Sequence, residues 1–397
     1  MKRKVVLHLV TWFPSSDNNI DGIFIRRHIE LLKADDNYEH IVVQKSSSKF
    51  SIIYHLLSLF GFFTKRTIGT TDVIQLPVES VLYNRIFWRY KKVLEKKQLQ
   101  RLVKKYKPFL CHLHVVYGFG EEAVYLKKKL GIPFIITEHM GPFPFEWLTN
   151  KEAAVTQPIK EASVVVAVST AQAKQIDAYT GVKALVIPNV VDEVSFRFEE
   201  SDARATAANG FQLVFVGIYA KAKGVDYLLR VWPEFLKAHP GSVLHLVGDA
   251  TGERMHELQA LIAEMGMANS IQFHGRLSAT ELCKLHQRCD FYVSGSEWES
   301  FGLSMLEALF TGLPVLSTNC GGVTDFITAE NGLLLENDQQ KRTLLNGLLQ
   351  MAEQLPLYNR KEIARNVRAK FSNNVIQENY FRIYKQVVPS VDSESTD

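Results

Sequence analysis

The sequence predicts an α/β protein of two doubly wound domains, each a mostly parallel sheet covered by helices on both faces. Three observations carry that expectation. Short apolar, β-branched runs alternate with longer amphipathic stretches, and the alternation restarts after one polar, alanine-rich segment. The chain's 397 residues also amount to two or three domains at roughly 100 to 200 residues each. With 46% hydrophobic and 22% charged residues the composition is that of a globular protein, which excludes disorder, collagen and coiled coil for the whole chain.

The first series begins at Met1-Lys2-Arg3-Lys4 followed by Val5–Val10, which resembles the opening of a signal peptide. Its apolar run is broken by His8 and ends at Thr11-Trp12-Phe13-Pro14, so it reads as a buried first strand with no cleavage and no export. Strands are expected at 4–10, 40–44, 72–76, 109–114, 133–137 and 163–168. Glu199–Ala205 reads as a linker, after which strands are expected at 211–216, 243–247, 271–273, 290–293, 314–317 and 332–335. Domains are therefore expected over 1–195 and 196–374, then a terminal helix over 375–388 that crosses back to the first domain, then a disordered acidic tail over 389–397. Two such sheets facing each other place a ligand in the cleft outside their strand ends. The four cysteines lack metal-ligand spacing, so they read as reduced thiols of a cytoplasmic protein.

Three loops could hold a phosphate. Gly118-Phe119-Gly120-Glu121-Glu122-Ala123 matches a dinucleotide fingerprint and keeps an NAD-dependent dehydrogenase open as an alternative. Against it, Glu121 and Glu122 fall in the helix's first turn and repel a pyrophosphate. The second loop, Gly217 to Leu229, carries Lys221 and Lys223 between a strand and a helix, an arrangement suited to a diphosphate or to a solvated surface loop.

The third, Ser294 to Leu309, is the most informative. Apolar residues at 303, 306 and 309 give a helix its buried stripe, so Glu299–Gly302 exposes backbone N–H groups at a helix start. Glu299 and Glu307 both lie close to it. Carboxylates beside a bound diphosphate repel it unless the same ligand also offers hydroxyls, which a ribose and a sugar ring do. A nucleotide-sugar uses both features.

These residues resemble the retaining glycosyltransferases of family 4. The E-x7-E pattern stands at Glu299 and Glu307 with Phe301-Gly302-Leu303 inside it, and Gly312-Leu313-Pro314-Val315 and Cys320-Gly321-Gly322 follow. Trp12-Phe13-Pro14 with Gly22-Ile23-Phe24, Thr137-Glu138-His139, Val168-Ser169, Ile187–Asp192 and Lys223-Gly224 extend the likeness over almost the whole chain. The resemblance implies the GT-B fold of two Rossmann-like domains with an interdomain cleft. It implies Glu307 on the ribose hydroxyls and Glu299 on a hydroxyl of the transferred sugar, with the main-chain amides of Phe301, Gly302 and Leu303 on sugar and phosphate. Lys223 would neutralise the leaving diphosphate, assisted by Gly22; His139 would approach the donor sugar; Arg276 and Leu277 would lie near the base. The co-substrate would be a UDP- or GDP-sugar, with no other cofactor and no metal. Two departures stand out: Ile218 replaces a common arginine, which leaves Lys221 as the substitute or Lys223 as the sole phosphate contact, and Val190 replaces a frequent glycine.

The remaining signals concern the acceptor. Ile52–Phe63 is almost wholly apolar and leads into Lys65-Arg66, and Arg85–Lys107 is strongly basic, countered mainly by Glu95. Residues 52–66 and 85–107 together suit contact with an anionic membrane at its inner face, or equally a core helix beside a solvated basic helix. The formal net charge of +4 and the lack of a recognisable nucleic-acid module argue against nucleic acid. A saccharide or lipid-linked acceptor in cell-surface polysaccharide or glycolipid assembly is the expected partner. A nucleotide-sugar epimerase, a sugar phosphorylase of the same fold and a two-domain sugar-binding protein remain the alternatives.

Overall fold

The computed structural model describes residues 3–14, 22–47, 63–78, 81–144, 152–200 and 210–387. They group into two compact units. Unit 1 comprises the chain up to Val168, Gln172–Val190 and the stretch from Ile376 onward; unit 2 comprises Ser169–Ala171 and Val191–Val375.

Unit 1 is built on β1 (Lys4–Val10), β2 (Tyr38–Ser47), β3 (Thr64–Ile68), β4 (Thr71–Val78), β5 (Leu110–His114), β6 (Phe134–Glu138), β7 (Val164–Ala167) and β8 (Leu185–Val186). They form one sheet in the order β3-β4-β2-β1-β5-β6-β7-β8. The pairings are parallel except for β3 against β4. Val5 to Val10 are all buried, because helices cover both faces, and this is why the run shows no alternation. On one face Leu99 and Leu102 of the helix Val81–Tyr106 join Phe119, Ala123 and Leu126 over the sheet. On the other, Ile376, Tyr380, Ile383 and Tyr384 of the helix Asn373–Val387 pack on Val6, Leu110, Ile135 and Val166. Their spacing places all four on one helical face.

Unit 2 carries β9 (Gln212–Val216), β10 (Val243–Val247), β11 (Ile271–Gly275), β12 (Phe291–Ser294), β13 (Val315–Thr318) and β14 (Gly332–Leu335). Their order is β11-β10-β9-β12-β13-β14, parallel throughout. Trp232 and Phe235 of the helix Val225–Ala238 anchor its core and stack at 5.3 Å.

Each sheet winds outward in two directions, so each has a point where the loops of neighbouring strands run to opposite faces and leave a crevice. In unit 1 that point lies between β1 and β5, and in unit 2 between β9 and β12. The loops after β9 and β12 carry Lys223 and Glu299.

Two strands were not expected from sequence. The edge strand β3, Thr-Lys-Arg-Thr-Ile, is polar and recruits Lys65 and Arg66, the basic end of the presumed membrane segment, into antiparallel pairing with β4. Charged residues on an exposed edge discourage further pairing and hide the strand from a hydrophobic pattern search. β8 is two residues long and exposed. Residues 52–62, most of the linker and the tail at 389–397 lie outside the described residues.

Candidate functional site

The site of unit 2 begins where β9 ends. Gly217 leads into one tight turn, Lys221–Lys223, which closes on Gly224 at φ 74°. A Cβ at Gly224 would stand 2.1 Å from the carbonyl oxygen of Gly295, so only glycine lets this loop press against the loop after β12. The contact is sealed by the Glu297 N–H donating to the Ala222 carbonyl at 2.9 Å.

That approach brings Lys223 to Glu299. Lys223 Nζ donates to Glu299 Oε1 at 2.7 Å, and Ser296 Oγ donates to the same oxygen at 2.9 Å. Glu299 is clamped through its backbone too, its N–H donating to the Cys320 carbonyl at 2.6 Å and its carbonyl accepting from the Gly322 N–H at 2.9 Å. The two side chains are 29% and 17% exposed, so the pair is half-buried and open to a ligand.

Beyond it the helix Leu303–Phe310 starts at Gly302, whose φ is 89°. No side chain caps this start and no acidic residue occupies its first turn. Its first N–H groups therefore point outward with the positive end of the dipole, a ready anion site. Phe301 is buried edge-on against Phe326, ring centres 5.4 Å apart, and fixes the entry of the chain. Leu303 is half-buried in the first turn. Ser304 Oγ and Tyr292 OH lie 2.9 Å apart, and Tyr292 OH donates to the Val216 carbonyl at 3.0 Å, which ties the helix start to the end of β9. Glu307, one turn further, is 7% exposed. Burial first, then the charges of Glu299 and Glu307, push the Tyr292 hydroxyl well above its ordinary pKa, so it stays a neutral donor.

Lys221 is exposed and makes no ion pair among the described residues. Arg276 lies at the carboxyl end of β11, where it pairs with Asp249 at 2.6 Å, and Leu277 follows it half-buried. Arg276, Asp249 and Ile218 line a cavity of about 470 Å³. Arg254, not singled out from sequence, lines it too, donating to the Tyr219 carbonyl at 2.8 Å and pairing with Asp226 and Glu257. Its position in the helix Gly252–Glu264, with no neighbouring motif, gave no signal.

Gly22 and His139 belong to unit 1. Gly22, φ 68°, starts the helix Ile23–Leu32 and leaves 2.7 Å between its would-be Cβ and the Trp12 carbonyl carbon. The next turn brings Phe24 to the His139 ring at 4.9 Å. His139 Nδ1 donates to Asn189 Oδ1 at 2.9 Å, and burial lowers its pKa to about 4, so the ring is neutral at pH 7. Its neighbour Glu138, wholly buried, accepts from the N–H groups of Val116, His139 and Met140; burial still pushes its pKa up to about 7.

The dinucleotide fingerprint has another use. A Cβ at Gly118 would stand 2.3 Å from Thr11 Oγ1, and one at Gly120 2.7 Å from Pro158. The glycines thus serve packing. Glu122 is buried against Lys45 at 2.9 Å and Glu121 pairs with Lys92, which leaves two carboxylates at that helix start. In the basic stretch, Glu95 is only 2% exposed and lies 3.8 Å from Lys45, while Arg101, Lys104 and Lys105 are exposed.

The family description "Glycosyltransferase Family 4" matches residues 54–194 and "Glycosyl transferases group 1" matches residues 196–369. The chain belongs to the family 4 glycosyltransferases. A D-inositol 3-phosphate glycosyltransferase of Acidothermus cellulolyticus is 30% identical over 56% of this chain and 55% of its own. A lipopolysaccharide core biosynthesis mannosyltransferase of Rhizobium meliloti is 30% identical over 41% of this chain and 49% of its own. The match thus spans about half the length of these curated relatives. Among solved structures, sucrose-phosphate synthase of Thermosynechococcus elongatus superposes with TM-score 0.77 at 17% identity, covering 97% of this chain and 99% of that one. Anabaena HepE in complex with UDP and glucose gives 0.72 at 19% identity, covering 96% and 99%. The fold is GT-B, with a Rossmann-like sheet in each unit.

Proposed function

We propose that this family 4 member is a retaining hexosyltransferase that moves a sugar from a nucleoside-diphosphate-sugar to a hydroxyl of a saccharide or lipid-linked acceptor, in cell-surface polysaccharide or glycolipid assembly. The observation that carries this reading is Lys223 paired to Glu299 beside the uncapped start of Leu303–Phe310. A diphosphate seated on those N–H groups takes the Lys223 ammonium and frees Glu299 for a sugar hydroxyl, while Glu307 receives the ribose diol. Main-chain amides of Phe301, Gly302 and Leu303 hold sugar and phosphate. Arg276 and Leu277 flank the base, and Lys221 approaches the phosphate from its exposed turn. His139, neutral and oriented by Asn189, is the unit 1 residue that approaches the donor sugar in this reading.

No side chain here is placed as a nucleophile. In the reading we adopt, the leaving phosphate oxygen takes the acceptor's proton on the same face of the sugar, so the chain contributes positioning and charge stabilisation. HepE, of the same fold, is solved with UDP-glucose, which favours a UDP-sugar as the first donor to try. Contact of 52–66 and 85–107 with the inner membrane face is part of the same proposal. The exposed Arg101, Lys104 and Lys105 support it, and no described helix is long and apolar enough to cross a membrane.

A thermal-shift screen across UDP-, GDP- and ADP-sugars tests the donor: a ligand at 100 times its Kd adds about 2.7 kcal/mol of stability. Nucleoside diphosphate released only when acceptor is present supports transfer. Release without acceptor, interconversion of the sugar, or phosphate-dependent release would favour hydrolysis, an epimerase or a phosphorylase. Co-sedimentation with anionic vesicles at low salt tests the membrane contact, and no binding there removes it.

A further inference from the structure

Six of the protein's 12 histidines crowd into unit 1 around its switch point, a concentration the transfer reaction does not require. His8 lies on β1, His40 on β2, His112 and His114 alternate along β5, His28 sits on the helix Ile23–Leu32, and His139 follows β6. All six are buried.

Hydrogen bonds fix most of their protons. Asn189 Oδ1 can only accept, so His139 carries its proton on Nδ1 and a lone pair on Nε2. That lone pair faces His114 Nδ1 at 3.4 Å; His114 Nε2 in turn faces His8 Nδ1 at 3.0 Å, and His8 Nε2 faces His40 Nδ1 at 2.8 Å. Each ring donates from Nδ1 to the next, forming a one-way ladder of neutral imidazoles. Burial lowers the pKa of His40 and His139 to about 4 and holds His8, His28 and His114 well below 6.5.

His28 stands outside the ladder. Its ring centre lies 5.1 Å from that of His114 and 6.2 Å from that of His139. It is 3% exposed, and its Nε2 is buried with no hydrogen-bond partner. A buried nitrogen left in that state costs about 1–3 kcal/mol, which calls for a ligand. One nitrogen from each of His28, His114 and His139 lies within 4.8 Å of the others.

We propose that His28, His114 and His139 form a binding site for a divalent transition-metal ion of the zinc type. Neutral imidazole is the commonest ligand for such ions. Two imidazole nitrogens bound at about 2.0–2.1 Å in a tetrahedral site stand roughly 3.3–3.4 Å apart. The His114–His139 separation, 3.4 Å, is long for a hydrogen bond and fits that edge. His28 offers Nε2, and His139 offers the lone pair it already has.

His114 binds through Nδ1 once its proton moves to Nε2, and the ladder accommodates the move. His8 and His40 likewise shift their protons from Nδ1 to Nε2, so three rings exchange tautomer, no proton leaves, and the cluster gains only the ion's charge. Asn189 on His139 and His8 on His114 then supply the outer hydrogen bonds that orient metal-binding imidazoles. The other compact triad, His8, His112 and His114, lacks a free nitrogen. His112 is bonded to Tyr384 OH and Thr137 Oγ1, each at 2.8 Å, and His8 to His40 and His114.

The test is a Co²⁺ titration of the full-length, tag-free protein, followed by visible absorption and competed with Zn²⁺. One saturable equivalent with the intense bands of a four-coordinate nitrogen site is expected. His28→Gln should weaken it by about 100-fold or more, and Asn189→Ala by roughly 10- to 100-fold. Circular dichroism checks that each variant folds; if His28→Gln does not, Asn189→Ala decides on the same readout. Absence of saturable Co²⁺ absorption in the wild type, or unchanged affinity in the folded variant, overturns the site and leaves a purely hydrogen-bonded ladder. The readout does not involve sugar transfer, so its failure is distinct from failure of the transferase reading.

Discussion

Two helices of this protein begin at glycine-containing turns at the carboxyl edge of a parallel sheet, and only one is fit to receive an anion. Gly120–Leu130 in unit 1 opens with Glu121 and Glu122, both ion-paired to lysines. Leu303–Phe310 in unit 2 opens with neither an acid nor a side-chain cap, and its carboxylate, Glu307, comes a full turn later. The glycine pattern and the lack of a side-chain cap are shared; the acidic first turn is not. In the proposed reading a phosphate is accepted where the first turn carries no carboxylates, and a fingerprint that ignores the intervening residues cannot separate the two.

The sharpest way to break this comparison is to remove a charge from each start. Lys223→Ala should lower kcat by roughly 100- to 1,000-fold, the usual loss for one contact to developing charge, and Glu307→Ala should also abolish most turnover. Glu121→Ala, at the other helix start, should leave the rate within about two-fold, as surface ion pairs contribute little. Steady-state kinetics with the donor found by thermal shift provides the measurement. Near-normal transfer in both Lys223→Ala and Glu307→Ala would sink the assignment.

A smaller effect separates backbone strain from close packing. Gly131 and Gly302 both have positive φ, but a Cβ at Gly131 meets nothing within 4 Å whereas one at Gly302 meets Val323 Cγ1 at 2.7 Å. Gly131→Ala should cost about 1–2 kcal/mol for the left-handed conformation alone. Gly302→Ala should cost more and should also weaken donor binding, since the helix start itself must shift. Equal costs in differential scanning fluorimetry, with donor affinity intact, would show that Gly302 does not shape the site.

The unequal legibility of the two regions has a physical cause. Lys223, Gly224, Glu299 and Gly302 announce themselves because their chemistry is local: glycines and charges within a few residues of a strand end. The strand pattern was legible for the same reason, while β3 and β8 were missed because one is polar and the other two residues long. The histidine ladder was invisible, since its bonds join residues 25 to 106 positions apart. The alternation His112-Leu113-His114 on a strand was the one available hint, as it places both rings on one face. The Lys223–Glu299 contact itself, 76 positions apart, likewise required the fold.

The ladder also makes the two units differ in acid. Buried histidines held neutral have folded pKa values below the unfolded value of about 6.5, so the unfolded chain binds more protons as pH falls. Their contribution is complete above about pH 6.5 and is lost progressively toward pH 4, where His40 and His139 titrate. Glu138, raised to about 7, acts in the opposite sense: its contribution is complete below its unfolded pKa and is lost as pH rises through 7. Six histidines in unit 1 have lowered values against His245, His274 and His286 in unit 2. Hydrogen exchange resolved by peptide should therefore show β1 and β5 losing several-fold more protection than β9 and β12 between pH 7 and 5, after correction for intrinsic rates. Equal loss in both sheets would contradict the ladder's neutral state.

The mildest prediction concerns what the anion site lacks. Ile218 is 57% exposed at the end of β9, where the family resemblance places an arginine, and it shares a cavity with Arg276 and Asp249. An arginine at that position has two competing partners, the donor's diphosphate and the Asp249 carboxylate. Asp249 is already held by Arg276 at 2.6 Å, which leaves the new guanidinium to the phosphate. Because the position is solvent-exposed, the gain should resemble a surface pair, at most about 1 kcal/mol, so Ile218→Arg should lower the donor KM by about two- to five-fold. A fall in KM with kcat unchanged marks binding shared by ground state and transition state; a rise in kcat would instead mean that the missing charge acts on the leaving group. An unchanged KM, with the Asp249→Ala background then showing the improvement, would mean that Asp249 captures the arginine and that Lys223 alone suffices for the diphosphate.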